Sequence, residues 1–308
     1  MRERRKLGLV FGSGAARGFS QIGVLKAVTE GDIPIDFIAG TSVGAIIGAA
    51  YAKLIKRKDF KYAYSKGSWK DLFETEDLDT MFKGFAEEKK INKWLEDTIG
   101  DVLFSDLHIP LAIVAADALT GEQVVLKEGS VLKAVKASIS LPVLFPPVQI
   151  NDRLLMDGSF VNPIPVDVAK EMGATLLVAC NMTQSGKAKG ELLDGSDHKS
   201  KKHMRNVAGM KRTLKRLLDS AGSNVHESRR NINRDLLRMF RTMKQTLDST
   251  ESTVMKAQLQ KADIIIAPDV GHIDILEFSH GKEAVKEGYA ATKKVLPEIL
   301  LAMDLCKS

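Results

Sequence analysis

The apolar positions of this chain fall into short runs that stop at glycine, and these runs alternate with stretches at helical spacing. Leu7 to Phe11 is an apolar run ending at Gly12, the pattern of a buried strand. Ile22, Leu25 and Val28 then share one face and predict a helix over 22–29, which Gly31 to Pro34 ends. Ile35 to Ala39 predicts a second strand, and Gly40-Thr41-Ser42-Val43-Gly44 follows at once. Ala45 to Ile55, rich in alanine and isoleucine, predicts the next helix. Twice, then, a strand runs into a glycine-rich turn and a helix, which predicts a parallel sheet covered by helices.

The rhythm continues with less order. Phe60 to Gly100 reads as helical and irregular and holds both tryptophans, Trp69 and Trp94. Leu111–Ala116 and Gln123–Leu126 predict strands, with Thr120-Gly121 as the turn between them, and 131–138 predicts a short helix. Pro142, Pro146 and Pro147 force an extended path. Leu154–Met156 predicts a brief strand, 165–172 a helix, 176–180 and 263–267 strands, and 283–303 a closing helix interrupted at Pro297. The expected class is α/β, one domain over 1–308.

Charge changes this picture in one place. The chain carries +6 overall, yet the stretch from Ser185 to Thr250 holds 16 lysines and arginines against 7 acids. The remainder is slightly acidic, so a basic segment over 185–255 interrupts the α/β body. Residues 186–202 are rich in glycine, serine, lysine and aspartate, the composition of a loop. Met204, Val207, Met210, Leu214 and Leu217, then Ile232, Leu236, Met239, Phe240, Met243 and Leu247, recur at helical spacing. Two amphipathic helices joined near Gly222 form a predicted hairpin, either a solvated face or a surface for anionic lipid. Nucleic acid is disfavoured, because Phe240 is the one aromatic available there for stacking on bases. No stretch approaches the ~20 apolar residues of a membrane span. The run after Met1–Lys6 is too short for a secretory leader, and Cys180 and Cys306 form no metal-spaced cluster. The expectation is a cytoplasmic protein, peripheral to membranes at most, with no metal and no cofactor.

Three motifs carry candidate chemistry. Gly40-Thr41-Ser42-Val43-Gly44 matches G-x-S-x-G between a strand and a small-residue helix. On such a turn a serine hydroxyl is pushed into the open, and the amide of Val43 can face an oxyanion. The same residues would also serve as a turn with a serine N-cap; the flanking strand and helix favour the nucleophile. Gly12-Ser13-Gly14-Ala15-Ala16-Arg17-Gly18 follows the first strand and can form an anion nest. A dinucleotide fingerprint fits it poorly, because Arg17 stands where glycine is needed and no acidic residue ends the second strand. Asp157-Gly158-Ser159 ends a strand, where it either enters a site or makes a simple Asx-turn.

In this order and spacing the three motifs resemble the patatin-like phospholipases, particularly short bacterial members. The lead Ala137-Ser138-Ile139-Ser140-Leu141-Pro142, running on to Phe145-Pro146-Pro147, is similar to that family's approach to its aspartate. The resemblance covers Lys6 to about Ala179 and resumes near Asp263. It implies a three-layer α/β/α sandwich and a Ser–Asp dyad that uses no histidine. Carried onto this chain, it implies Ser42 as nucleophile, Asp157 as base, and the amides of Gly12, Ser13, Gly14 and Ala15 as oxyanion donors beside Val43. Gly40, Gly44 and Gly158 are its motif glycines.

The chain departs from the family in the loop, where three consecutive glycines are frequent but the run is Gly12-Ser13-Gly14-Ala15 and a positive φ at Ala15 would be costly, at Ser159, where glycine or alanine is usual, and in the basic segment. The implied activity is hydrolysis of phospholipid or related lipid esters. Small-ester hydrolysis, acyl transfer and a non-enzymatic lipid-surface role are the alternatives. Burial beside Leu154-Leu155-Met156 is expected to raise the Asp157 pKa. Arg17 could bind a head-group phosphate or pair with a surface carboxylate. Of the six histidines, His272 and His280 are placed where a triad would need one.

Overall fold

A computed structural model describes residues 4–54, 88–142, 145–182, 253–273 and 277–303. Among them, eight strands form one sheet. They are β1 (Leu7–Phe11), β2 (Phe37–Thr41), β3 (Leu111–Asp117), β4 (Gln123–Leu126), β5 (Val148–Ile150), β6 (Arg153–Asp157), β7 (Leu176–Cys180) and β8 (Ile264–Ile266). β8, β7, β1, β2 and β3 are parallel neighbours in that order. β4 and β6 pair antiparallel with β3, and β5 pairs antiparallel with β6.

The sheet is buried on both faces, as parallel strands require. Residues alternate across each strand. On one face Leu7, Leu9, Phe11, Ile38, Ile113 and Val178 pack beneath the helices α1 (Ser20–Glu30), α2 (Val43–Leu54), α3 (Glu88–Ile99), α4 (Val131–Ser138) and α6 (Gly281–Ala302). On the other, Val10, Ala39, Ala112, Val114 and Ala179 pack against α5 (Val166–Glu171) and the helical residues 253–259. The result is the three-layer α/β/α sandwich that the family resemblance implies.

The register brings the ends of two strands together along β3. β4 holds one edge of β3 from Ile113 to Ala116. β2 and β6 therefore share the opposite edge, β2 against Leu111 to Val114 and β6 against Ala115 to Asp117. They run in opposite directions and stop end to end. Thr41 stands opposite Val114 and Asp157 opposite Ala115, so the residue after Thr41 and the last residue of β6 meet at one seam.

The elements differ from the sequence pattern in four places. β2 begins at Phe37 rather than Ile35, because Asp36 accepts hydrogen bonds from Arg4 and from the Leu7 amide, and Ile35 is core-filling but unpaired. Val148–Ile150, expected only to be extended, is a strand that returns to β6 through a turn with Asn151 at φ 51. Pro297 does not interrupt α6; the buried Ile299 and Met303 hold the last turn on the core past the missing donor. Met255 and Leu259 belong to the core, so the body resumes by 253, inside the 185–255 boundary drawn from charge. The expected basic hairpin and Trp69 lie outside the described residues.

Candidate active site

Ser42 occupies the turn between β2 and α2 with φ 55, a left-handed conformation that costs a non-glycine residue about 1–2 kcal/mol. Close packing forces the turn to be this tight. A Cβ on Gly44 would lie 2.4 Å from the Phe11 carbonyl oxygen and 2.8 Å from that of Gly12, so only glycine lets α2 start directly against the end of β1. Gly158 is tied down in the same way on the other side of the seam, where a Cβ would sit 2.3 Å from the Val114 carbonyl oxygen.

The seam brings the two candidate reactive groups together. Ser42 Oγ donates to Asp157 Oδ2 at 2.8 Å. The other carboxylate oxygen, Oδ1, accepts the Ser159 amide at 2.9 Å. A main-chain amide supplies that bond, so Ser159 is accommodated where the family prefers a smaller residue. Asp157 is buried, and desolvation pushes its carboxyl up to about 6, against the opposing pull of hydrogen bonds from Ser159 and Ser42.

The glycine-rich loop lies beside this pair because β1 and β2 are adjacent and end together, Phe11 opposite Gly40. Gly14 takes φ 156, and Ala15 takes φ 45, the strained conformation feared for alanine there. Residues Ala15–Phe19 form a 3₁₀ turn whose first bond is from the Arg17 amide to the Gly14 carbonyl. The amides of Gly14 and Ala15 stand ahead of that bond. The Val43 amide, at the first position of α2, has no carbonyl one turn back to bond. The two turns touch, since a Cβ on Gly18 would fall 2.3 Å from Val43 Cγ1.

Two expected site residues are used differently. The Ser13 amide donates to the Pro163 carbonyl at 2.8 Å, which spends it on holding the loop rather than on an oxyanion. Arg17 donates from Nε to the Ile273 carbonyl at 2.7 Å and from Nη2 to the Gly271 carbonyl at 3.3 Å. Its guanidinium ties the 3₁₀ turn to the segment before α6 and pairs with no carboxylate among the described residues.

Several residues that stabilise the site were passed over in the sequence. Ser138 accepts the Ser42 amide at 2.9 Å and donates to the Val114 carbonyl at 2.6 Å. The Ser140 carbonyl accepts the Asp157 amide, and the Asn162 carbonyl accepts the Thr41 hydroxyl. Gln21 Nε2 donates to the Gly12 carbonyl at 2.7 Å. Ser138 and Ser140 sit in the proline-rich lead already singled out, and their alternation with Ile139 was the available signal. Asn162 and Gln21 gave none, because each acts through a main-chain group that no side-chain pattern announces.

The other polar groups fall away from this chemistry. His272 and His280 both bond Glu283, at 2.8 and 2.6 Å, and that bond holds the His280 imidazole above its usual range. Neither enters a triad, since the Ser42 hydroxyl bonds Asp157 directly. Burial pushes the Cys180 thiol up to about 12, which leaves it no thiolate to compete as a nucleophile. No helix among the described residues is long and apolar enough to cross a membrane, and no cluster among them could hold a metal ion.

Comparison with known proteins places this geometry among relatives. The patatin-like phospholipase family profile matches residues 9–170. Over 185 residues the chain is 36% identical to mouse patatin-like phospholipase domain-containing protein 6, covering 57% of this chain and 13% of that protein. It is 34% identical over the same length to neuropathy target esterase sws of Drosophila melanogaster, again 13% of that protein. It is 30% identical over 294 residues to an uncharacterized NTE family protein of Mycobacterium tuberculosis, covering 95% of this chain and 46% of that one. The chain thus spans less than half the length of these relatives.

Proposed function

Because the chain belongs to the patatin-like phospholipase family, we propose that it is a serine acyl hydrolase acting on carboxylic esters of lipids, with Ser42 as nucleophile and Asp157 as base. The observation that carries this reading is the 2.8 Å bond from Ser42 Oγ to the buried Asp157 carboxyl. The relatives' names, phospholipase and esterase, support the reaction class.

Asp157 takes the Ser42 proton as Oγ attacks the ester carbonyl carbon. The oxyanion settles against the amides of Val43, Gly14 and Ala15, where helix and turn starts favour negative charge. The alcohol leaves with the proton that Asp157 holds. Water then attacks the acyl-serine, gives a proton to Asp157, and releases the acid with Ser42 restored. Raising the Asp157 pKa strengthens it as a base while leaving it ionised at neutral pH. The basic stretch over 185–250 suits adsorption to an anionic membrane surface, which would present the ester to the site.

Fatty acid release from mixed phospholipid vesicles, measured beside turnover of a short-chain chromogenic ester, tests this. Ser42→Ala and Asp157→Asn are each expected to lower release by about a thousandfold or more with the fold intact. Short-ester turnover without vesicle hydrolysis would move the substrate off membranes. Turnover that survives Ser42→Ala would remove the nucleophile, and wild-type silence on both would leave a binding protein.

A further inference from the structure

Ser138 closes α4 and is fully buried, and its hydroxyl has both of its roles fixed by its neighbours. Its lone pair accepts the Ser42 amide at 2.9 Å, and its proton goes to the Val114 carbonyl at 2.6 Å. That carbonyl belongs to the residue opposite Thr41, at the point where β2 gives way to β6 along the edge of β3. Gly158, next to Asp157, lies against the same oxygen. Two residues on, the Ser140 carbonyl takes the Asp157 amide at 3.0 Å. One short segment thus grips the backbone of both members of the pair, and Ser138 is the side chain through which it grips Ser42.

We propose that Ser138 is a positioning residue of the Ser42–Asp157 pair, bridging the seam between β2 and β6 so that the Ser42 backbone cannot turn. This rests on the reading of Ser42 as nucleophile. Two consequences follow from its hydrogen bonds. Ser42 keeps its left-handed φ 55 without an unbonded amide. The same bond removes the Ser42 amide from the oxyanion and leaves that task to Val43 and the Gly14–Ala15 turn. Without the bridge, Oγ can drift from Asp157, and small displacements of a reacting group cost rate steeply.

The test counts sites before it measures rate. Wild type, Ser138→Ala, Ser138→Thr and Ser42→Ala are titrated with a fluorophosphonate, and turnover of a short-chain ester is expressed per labelled site. Ser138→Ala is expected to lower kcat per site by roughly ten- to a hundredfold with KM little changed. Ser138→Thr, which restores the hydroxyl, is expected to recover most of it. A loss confined to the fraction of labelled sites, with kcat per site unchanged, would make Ser138 merely structural and overturn the proposal.

A second reading comes from the wild type alone and does not depend on any variant folding. In amide hydrogen exchange, Ser42 is expected to be protected while its neighbour Val43 exchanges freely; equal, fast exchange at both would also overturn the proposal. If Ser42→Ala keeps its turnover, the nucleophile reading itself has failed. If Ser42→Ala is dead and Ser138→Ala matches wild type per site, only the role of Ser138 has failed.

Discussion

Asp157 carries the sharpest consequences of any single residue. On the proposed mechanism its carboxyl must be ionised to take the Ser42 proton, and burial holds its pKa at about 6. Turnover is therefore expected to rise as pH climbs through about 6 and to level off above it, which a pH profile of kcat/KM would show. The effect on stability has the opposite sense. Between the ordinary value of 3.8 and about 6, the folded chain keeps a proton that the unfolded chain has released, so this group's contribution falls as pH rises through that window. Above it, the buried charge costs on the order of 3 kcal/mol. Asp157→Asn should thus be inactive yet more stable, and its urea midpoint should exceed that of wild type at pH 7.5 by more than at pH 4.5.

The motif positions were legible beforehand, because glycine-rich turns at strand ends show in the sequence, whereas the long-range packing that fixes Gly44 and Gly158 does not. The tethering bonds of Arg17 and Ser13 were not legible, for a physical reason. Their partners, the carbonyls of Gly271, Ile273 and Pro163, are main-chain atoms that no side-chain pattern announces.

Among the elements, the crossing of α1 and α6 sets the tightest tolerance. A Cβ on Gly23 would lie 2.0 Å from the Val285 carbonyl oxygen, and one on Gly288 would lie 1.8 Å from that of Ser20. These contacts are backbone to backbone, so no side chain can rotate away. Gly288→Ala is expected to destabilise the fold by about 3 kcal/mol or more, seen as a lower urea midpoint with an unchanged slope. Helix periodicity predicted both elements but not their contact, since Gly23 and Gly288 read in the sequence only as poor helix formers. The strands were legible where burial on both faces made apolar runs, as at Leu7–Phe11 and Leu176–Cys180. β5 was not, because Val148–Ile150 pairs on one side only and follows two prolines. The seam between β2 and β6 could not be read at all, since register is a property of pairs of strands rather than of either one.

Across the whole molecule, the body and the basic segment differ in composition. The family profile ends at 170, and the local charge that separates the segment is visible only in composition. Composition gave its sign and position. It could not give its end, because the helical turn at 253–259 is apolar on the side that meets α5 and so reads as a continuation of the segment's own spacing.

The clasp between Arg17 and the Gly271–Ile273 carbonyls also has a meaning in time. Ser42, Asp157 and the glycine-rich loop all precede, in order of synthesis, the segment that Arg17 holds and the helix that crosses α1. A nascent chain can present the nucleophile long before the turn beside it has anything to rest on. Ribosome-bound chains stalled with residue 270 as the last to emerge should resist fluorophosphonate labelling, and chains that have emerged past residue 303 should accept it. On the proposed reading, hydrolysis would wait until that segment and that helix have emerged.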